Sequence, residues 1–117
     1  MKTDLTYLKE MSAGNKELVL EMVDIFKSQV VEYQKELREL YNNKDWVSLG
    51  KLAHKAKASI SMMGLNELAG DLKRLEMNTK LEKGTMHYIN TIDKFEEETN
   101  IVLEEIEVIL KDFDSYF

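Results

Sequence analysis

Neither cysteine nor proline occurs in this 117-residue chain. The first absence excludes disulfides, thiolate metal sites and cysteine nucleophiles, and it is compatible with a reducing compartment. The second removes the strongest helix breaker, so nothing in the covalent chain interrupts long helices. No apolar run is long enough to span a bilayer, and the N-terminal stretch MKTDLTYLKE lacks the hydrophobic core of a signal peptide. A soluble, cytoplasmic protein with no membrane partner is the expectation. Internal repeats and low-complexity segments are lacking too. The length suits one domain covering 1–117, large enough to bury roughly 65% of the surface its unfolded chain exposes.

The formal charge of −6 argues against a nucleic-acid partner, because phosphate backbones are gripped by clustered lysine and arginine. The charge is unevenly spread. Between positions 44 and 58 four lysines (Lys44, Lys51, Lys55, Lys57) face one aspartate, Asp45, a local balance of +3. Between positions 96 and 114 eight carboxylates face only Lys111, a balance of −7. A basic island sits on an acidic protein.

What the chain does contain is apolar residues at helical period. Leu5, Leu8 and Met11 predict a short amphipathic turn or two, stopped at Gly14, with Asn15 placed to cap a longer helix. From 16 to about 41 its stripe is Leu18, Val19, Met22, Ile25, Phe26, Val30, Tyr33, Leu37 and Leu40. Asn42 and Asn43 break it. Asp45 can cap the next helix, which ends near Gly64, a residue suited to the left-handed turn after a helix. Asn66 is the expected cap of a helix whose apolar face is Leu68, Ala69, Leu72, Leu75 and Met77 or Leu81. After Lys83 and Gly84, Thr85 is the expected cap of a last long helix with Ile89, Ile92, Phe95, Ile101 or Val102, Ile106 and Ile109, ending near Phe113. Four substantial helices joined by short connections, without strand-like alternation, imply an all-α antiparallel four-helix bundle with a short additional N-terminal helix.

One stretch stands apart, WVSLGKLAHKAKASISMM, from 46 to 63. Its apolar residues Leu49, Leu52, Ala53, Ala56, Ile60 and Met63 form one buried stripe, and His54 lies off it. One turn away on either side are Gly50 and Ala58, with Ser61 a further turn on, while Lys51 and Lys57 stand three positions before and after. The imidazole therefore stands clear of small neighbours, beside lysines able to hold an anion. Trp46 and the pair Met62 and Met63 are read as core or its margin, and His87 as an ordinary surface residue.

The run Trp46, Leu49, Leu52, Ala53, His54, Lys57, Ser59, Gly64, Leu68, Leu72, Leu75 and Glu76 resembles the signature of histidine-containing phosphotransfer (HPt) domains. That family displays one phosphorylatable histidine on a four-helix bundle, in the pattern His-x-Leu-Lys-Gly-Ser/Ala, with a glycine ten residues beyond the histidine. His54, Lys57, Ser59 and Gly64 match. Ala56 and Ala58 replace the usual leucine and glycine; alanine at 58 slightly narrows the room for a partner's loop and is expected to be tolerated.

The resemblance implies a phosphorelay carrier. His54 takes a phosphoryl group from the aspartate of one response-regulator receiver domain and passes it to another, with a hybrid sensor histidine kinase among the partners. The chain itself binds no cofactor; magnesium is expected in the partner receiver, and this chain has no Gly-rich phosphate loop or kinase motif set of its own. Free imidazole titrates near ~6.5, so a ring nitrogen is available to attack phosphorus at neutral pH. Lys57 is expected to neutralise the phosphoryl oxygens. Glu76, on the following antiparallel helix, is expected to accept a hydrogen bond from one ring N–H and so fix the tautomer. Gly50, Lys51, Lys55, Ala58 and Ser61 make up the docking face, and a monomer is the default.

Three other readings compete. A di-metal bundle needs Glu-x-x-His pairs, but Lys51 and Gly84 stand three before the two histidines, so no metal site is expected. A receiver-binding module without phosphotransfer would use the same face. A non-catalytic helical scaffold would be indifferent to His54→Gln.

Overall fold

The computed structural model describes residues 1–116. Five α-helices follow one another, with no strand among these residues: α1 (Thr6–Met11), α2 (Lys16–Asn42), α3 (Trp46–Met62), α4 (Asn66–Leu81) and α5 (Tyr88–Lys111). Short 3-10 turns lie at Thr85–His87 and Phe113–Tyr116. α2 packs on α3 and α5, and α4 packs on the same two, which closes a four-helix bundle of 45 × 22 × 19 Å with α1 laid against α2. The architecture is the one the helical periodicity predicts.

The long helix α2 begins where Asn15 Oδ1 accepts the Leu18 N–H at 3.1 Å. Its buried line is Val19, Val23, Phe26, Val30, Tyr33 and Leu37, at alternating steps of four and three. This corrects the sequence reading at three positions. Leu18 and Ile25 are exposed, and Val23, left out, is buried. Each exposed residue immediately precedes a buried one, so it is turned about 100° away from the core line.

Helix α3 starts at Asp45, whose Oδ1 accepts the Ser48 N–H at 3.2 Å. It ends on Gly64, with φ +76°, as expected of that glycine. A side chain at Gly64 would meet Asp4 as well as strain the backbone, since a Cβ there falls 2.5 Å from Asp4 Cβ. The N-terminal segment is tied to this same turn: the Asp4 N–H donates to Met63 O at 3.0 Å. Lys2 and Thr3 present successive N–H groups to the Glu105 carboxylate at 3.1 and 2.8 Å.

Two expected caps are absent. Asn66 is the first residue inside α4; the cap position belongs to Leu65, which makes no side-chain bond. Leu65 is buried, so the core and not a polar cap sets where the helix begins. Thr85 opens a 3-10 turn after Gly84 (φ +63°), and α5 starts from His87, again without a side-chain cap. Met77 and Leu81 are exposed, contrary to expectation. Leu68, Leu72, Leu75 and Thr79, spaced four, three and four, keep the inner line, and Glu76 shares it. In α5 the buried member of the undecided pair is Val102; Ile101 reaches the surface. The helix ends at Lys111, two residues before Phe113.

Fully buried Leu37, Leu49, Ile60, Leu72, Ile92, Phe95 and Ile106 form the centre, each contributing about 1.5–3 kcal/mol of transfer free energy. The closest helix pair is α3 with α4. It is close because position 50 carries no side chain: a Cβ on Gly50 would collide with Thr79 Oγ1 and stand 3.3 Å from Thr79 Cβ. That approach sets the register between the two helices and so the spacing of the side chains one turn farther along.

Candidate functional site

One turn beyond Gly50, His54 projects from α3 with 66% of its side chain exposed. Opposite it on α4 is Glu76, whose side chain is only 10% exposed. The ring Nδ1 lies 2.9 Å from Glu76 Oε1 and 3.0 Å from Oε2, so it addresses both oxygens of the carboxylate at once. An ionised carboxylate can only accept. Nδ1 therefore carries a hydrogen, and in the neutral ring Nε2 keeps its lone pair. The hydrogen bond from His54 holds the Glu76 carboxyl below the usual carboxylate range, overcoming the opposing effect of burial; the charge of the ring when it is protonated and the charge of Lys57 act in the same direction. The ring is thus oriented by a shielded carboxylate while most of its surface faces solvent.

Two lysines flank the same carboxylate. Lys57 Nζ, from α3, is 3.5 Å from Oε1, and Lys80 Nζ, from α4, is 3.6 Å from Oε2. Lys57 is half-buried, whereas Lys80 is exposed. Nothing in the family pattern pointed to Lys80; its signal in the sequence is the i,i+4 spacing from Glu76. Thr79 was missed as well. It donates from Oγ1 to the Glu76 carbonyl at 2.7 Å while filling the space opposite Gly50.

His54 stands at the mouth of a groove of about 590 Å³ between α3 and α4, walled by Trp46, Val47, Gly50 and Thr79 and edged by Lys51 and Lys80. Trp46 meets Tyr88 edge-on at 5.2 Å and Tyr41 at 5.8 Å, at the margin of the core as expected. A second groove, of about 230 Å³, runs between α2 and α3 and is lined by Met22, Ile25, Phe26, Ala58 and Met62.

The residues singled out from the sequence thus fall into separate places. His54, Glu76 and Lys57 come together. Gly50 is buried against Thr79 while also forming the floor of the larger groove. Lys51 edges that groove, Ala58 lines the other, and Lys55 and Ser61 are exposed on α3. His87 is exposed on the turn before α5, away from this constellation. Among the described residues no group of three or more His, Cys, Asp or Glu side chains is placed to hold a metal ion, and no helix is long and apolar enough to cross a membrane.

The fold is a helical bundle that carries an exposed histidine bonded to a shielded carboxylate, and comparison with known families gives its class. The sequence model of the Hpt domain family matches residues 21–105, which spans α2 to α5 and includes His54, Lys57, Glu76 and Lys80. The chain belongs to the Hpt domain family. Members of this family generally function in histidine phosphotransfer within two-component phosphorelays, interacting with receiver and kinase domains. No curated protein and no solved structure gives a significant match to this chain.

Proposed function

We propose that this chain is a phosphorelay carrier in which His54 is the phosphorylated residue, exchanging a phosphoryl group with the aspartates of response-regulator receiver domains. The observation that carries the reading is the grip of Glu76 on Nδ1 of an otherwise exposed ring. With Nδ1–H engaged, Nε2 attacks phosphorus: the Nε2–P bond forms, the P–O bond to the receiver aspartate breaks, and the aspartate leaves as a carboxylate. Positive charge developing on the ring is met by Glu76 through the hydrogen bond already in place. Lys57 faces the incoming phosphoryl oxygens. Magnesium belongs to the receiver, where the transferred charge is greatest.

Lys51 and Lys55 guide an acidic receiver pocket toward His54, and Gly50, Ala58 and Ser61 leave room for its active-site loop. The apolar groove beside Ala58, with Ile25 at its edge, supports a docking face that extends onto α2. A hybrid sensor histidine kinase is among the partners, and the cytoplasm is the setting. Residues outside 21–105 pack onto the matched region, through Asp4 on Met63 and Glu105 on Lys2 and Thr3. That supports reading 1–117 as a single unit.

The test is intact-mass analysis after incubation with phosphoramidate, followed by mixing with a magnesium-loaded receiver, for wild type, His54→Gln and His87→Gln. One acid-labile phosphate that requires His54, ignores His87 and moves to the receiver is the expected result. Uptake retained in His54→Gln would sink the assignment, and docking without any uptake would make the chain a receiver-binding module.

A further inference from the structure

Beside Glu76 stands a second lysine that the transfer step does not use. We propose that Lys80 is a second cation for the phosphoryl group on His54: it rests on Glu76 in the unloaded protein and turns to the phosphoryl oxygens once His54 is loaded. The inference rests on the reading of His54 as the phosphorylated residue. Its geometric basis is the flanking pair, with Lys57 Nζ at 3.5 Å from one carboxylate oxygen and Lys80 Nζ at 3.6 Å from the other.

Three observations favour movement of Lys80. At 3.6 Å its contact is too long for a hydrogen bond, so little holds it in place. Its side chain is 73% exposed, against 28% for Lys57, so it has the freedom to reorient that its counterpart lacks. It also lines the same groove as His54, from the opposite helix, and it pairs with the other oxygen of the carboxylate from Lys57.

Charge balance supplies the driving force. A phosphoryl group brings about 1.5–2 negative charges at neutral pH, set beside the single charge of Glu76. Lys57 alone leaves most of that uncompensated in a site where the carboxylate is shielded from water. A phosphoryl group offers three oxygens and more charge than the carboxylate, so Lys80 gains by exchanging one for the other. Lys51 shares the groove edge but has no ion pair with Glu76, so nothing poises it beside the ring.

The experiment measures the equilibrium ratio of phosphohistidine to receiver phosphate, using the full chain and a magnesium-loaded receiver domain that exchanges phosphate with the wild type. This ratio reports on stabilisation of the loaded state and is independent of how fast the partners dock. Lys80→Ala is expected to lower the phosphohistidine share roughly two- to fivefold. Lys80→Arg is expected to restore it, and the difference is expected to fade at high salt. A wild-type ratio in Lys80→Ala beside a lowered ratio in Lys57→Ala would overturn the inference, as would failure of arginine to restore it. Phosphoramidate uptake is checked first; a wild type that takes up no phosphate overturns the carrier reading itself, a failure seen before Lys80 enters the measurement.

Discussion

Two carboxylates on α4, five residues apart, are shut away from water to the same degree: the side chain of Asp71 is 11% exposed and that of Glu76 10%. Their partners differ. Asp71 is held by Arg74 on its own helix and by Lys94 of α5, whose Nζ is 2.7 Å from Oδ2 and also 3.0 Å from Glu67. Hydrogen bonds to Asp71 and then Glu67 raise the Lys94 pKa well above the ordinary lysine value. Glu76 has as its nearest partner a ring that is mostly in solvent, with both lysines at looser distances. Burial alone therefore does not mark a working carboxylate. Asp71 is paired with permanent cations and joins two helices; Glu76 is bonded to an exposed imidazole, the group proposed to carry phosphate.

The comparison predicts a separation of effects. The largest is that of His54→Gln, which is expected to abolish phosphate uptake while helical circular dichroism stays at the wild-type level. Loss of helix in that variant would mean that the ring supports the bundle. Next comes Glu76→Ala, which removes a hydrogen bond to a charged group worth about 1.5–3 kcal/mol in protected settings. With a ring this exposed the lower end applies, so phosphotransfer in rapid-quench assays is expected to slow roughly tenfold. Asp71→Ala is expected to leave that rate unchanged. Equal slowing by both would erase the distinction.

Stability should sort the pair the other way. Asp71→Ala is expected to cost about 1–2 kcal/mol in urea unfolding, below the usual figure for a broken buried pair because Arg74 and Lys94 retain access to water. Gly50→Ala is expected to cost about 1 kcal/mol, the crowding against Thr79 outweighing the better helix propensity of alanine. Thr79→Ala should recover most of it; no recovery would place the crowding elsewhere.

The smallest effect concerns acid. The folded-state pKa of Glu76 is lowered from 4.5, so between the folded and unfolded values the unfolded chain binds more protons. The stabilisation is complete above the unfolded value and is lost as pH falls through the folded one. Urea midpoints of wild type and Glu76→Gln should therefore converge on acidification below about 4.5. Midpoints that stay apart at low pH would show that the carboxylate charge contributes nothing.

The sequence carried the number and order of helices, the Asn15 and Asp45 caps, the turn at Gly64 and the buried stripe of α3, because each rests on local chemistry with a short range. It also carried the pairing of His54 with Glu76 through the family pattern. What it hid depends on neighbours. Met77 and Leu81 are more apolar than Glu76 and Thr79, yet the latter are buried, since the inner line of α4 is fixed by packing on α3 rather than by hydropathy. Asn66 and Thr85 are good cap residues in isolation, but buried Leu65 and the 3-10 turn after Gly84 shift where the helices begin. The i,i+4 spacing of Lys80 from Glu76 was too weak a sign of its place beside that carboxylate, because surface lysines one turn from a glutamate are common.

Trp46, the single tryptophan of the chain, stands where the groove beside His54 meets the aromatic edge of the core, against Tyr88 and Tyr41. The protein thereby carries its own optical probe. Whatever settles into that groove changes the water and the charges around one indole, so occupancy can be followed by emission wavelength and quenching with no label attached.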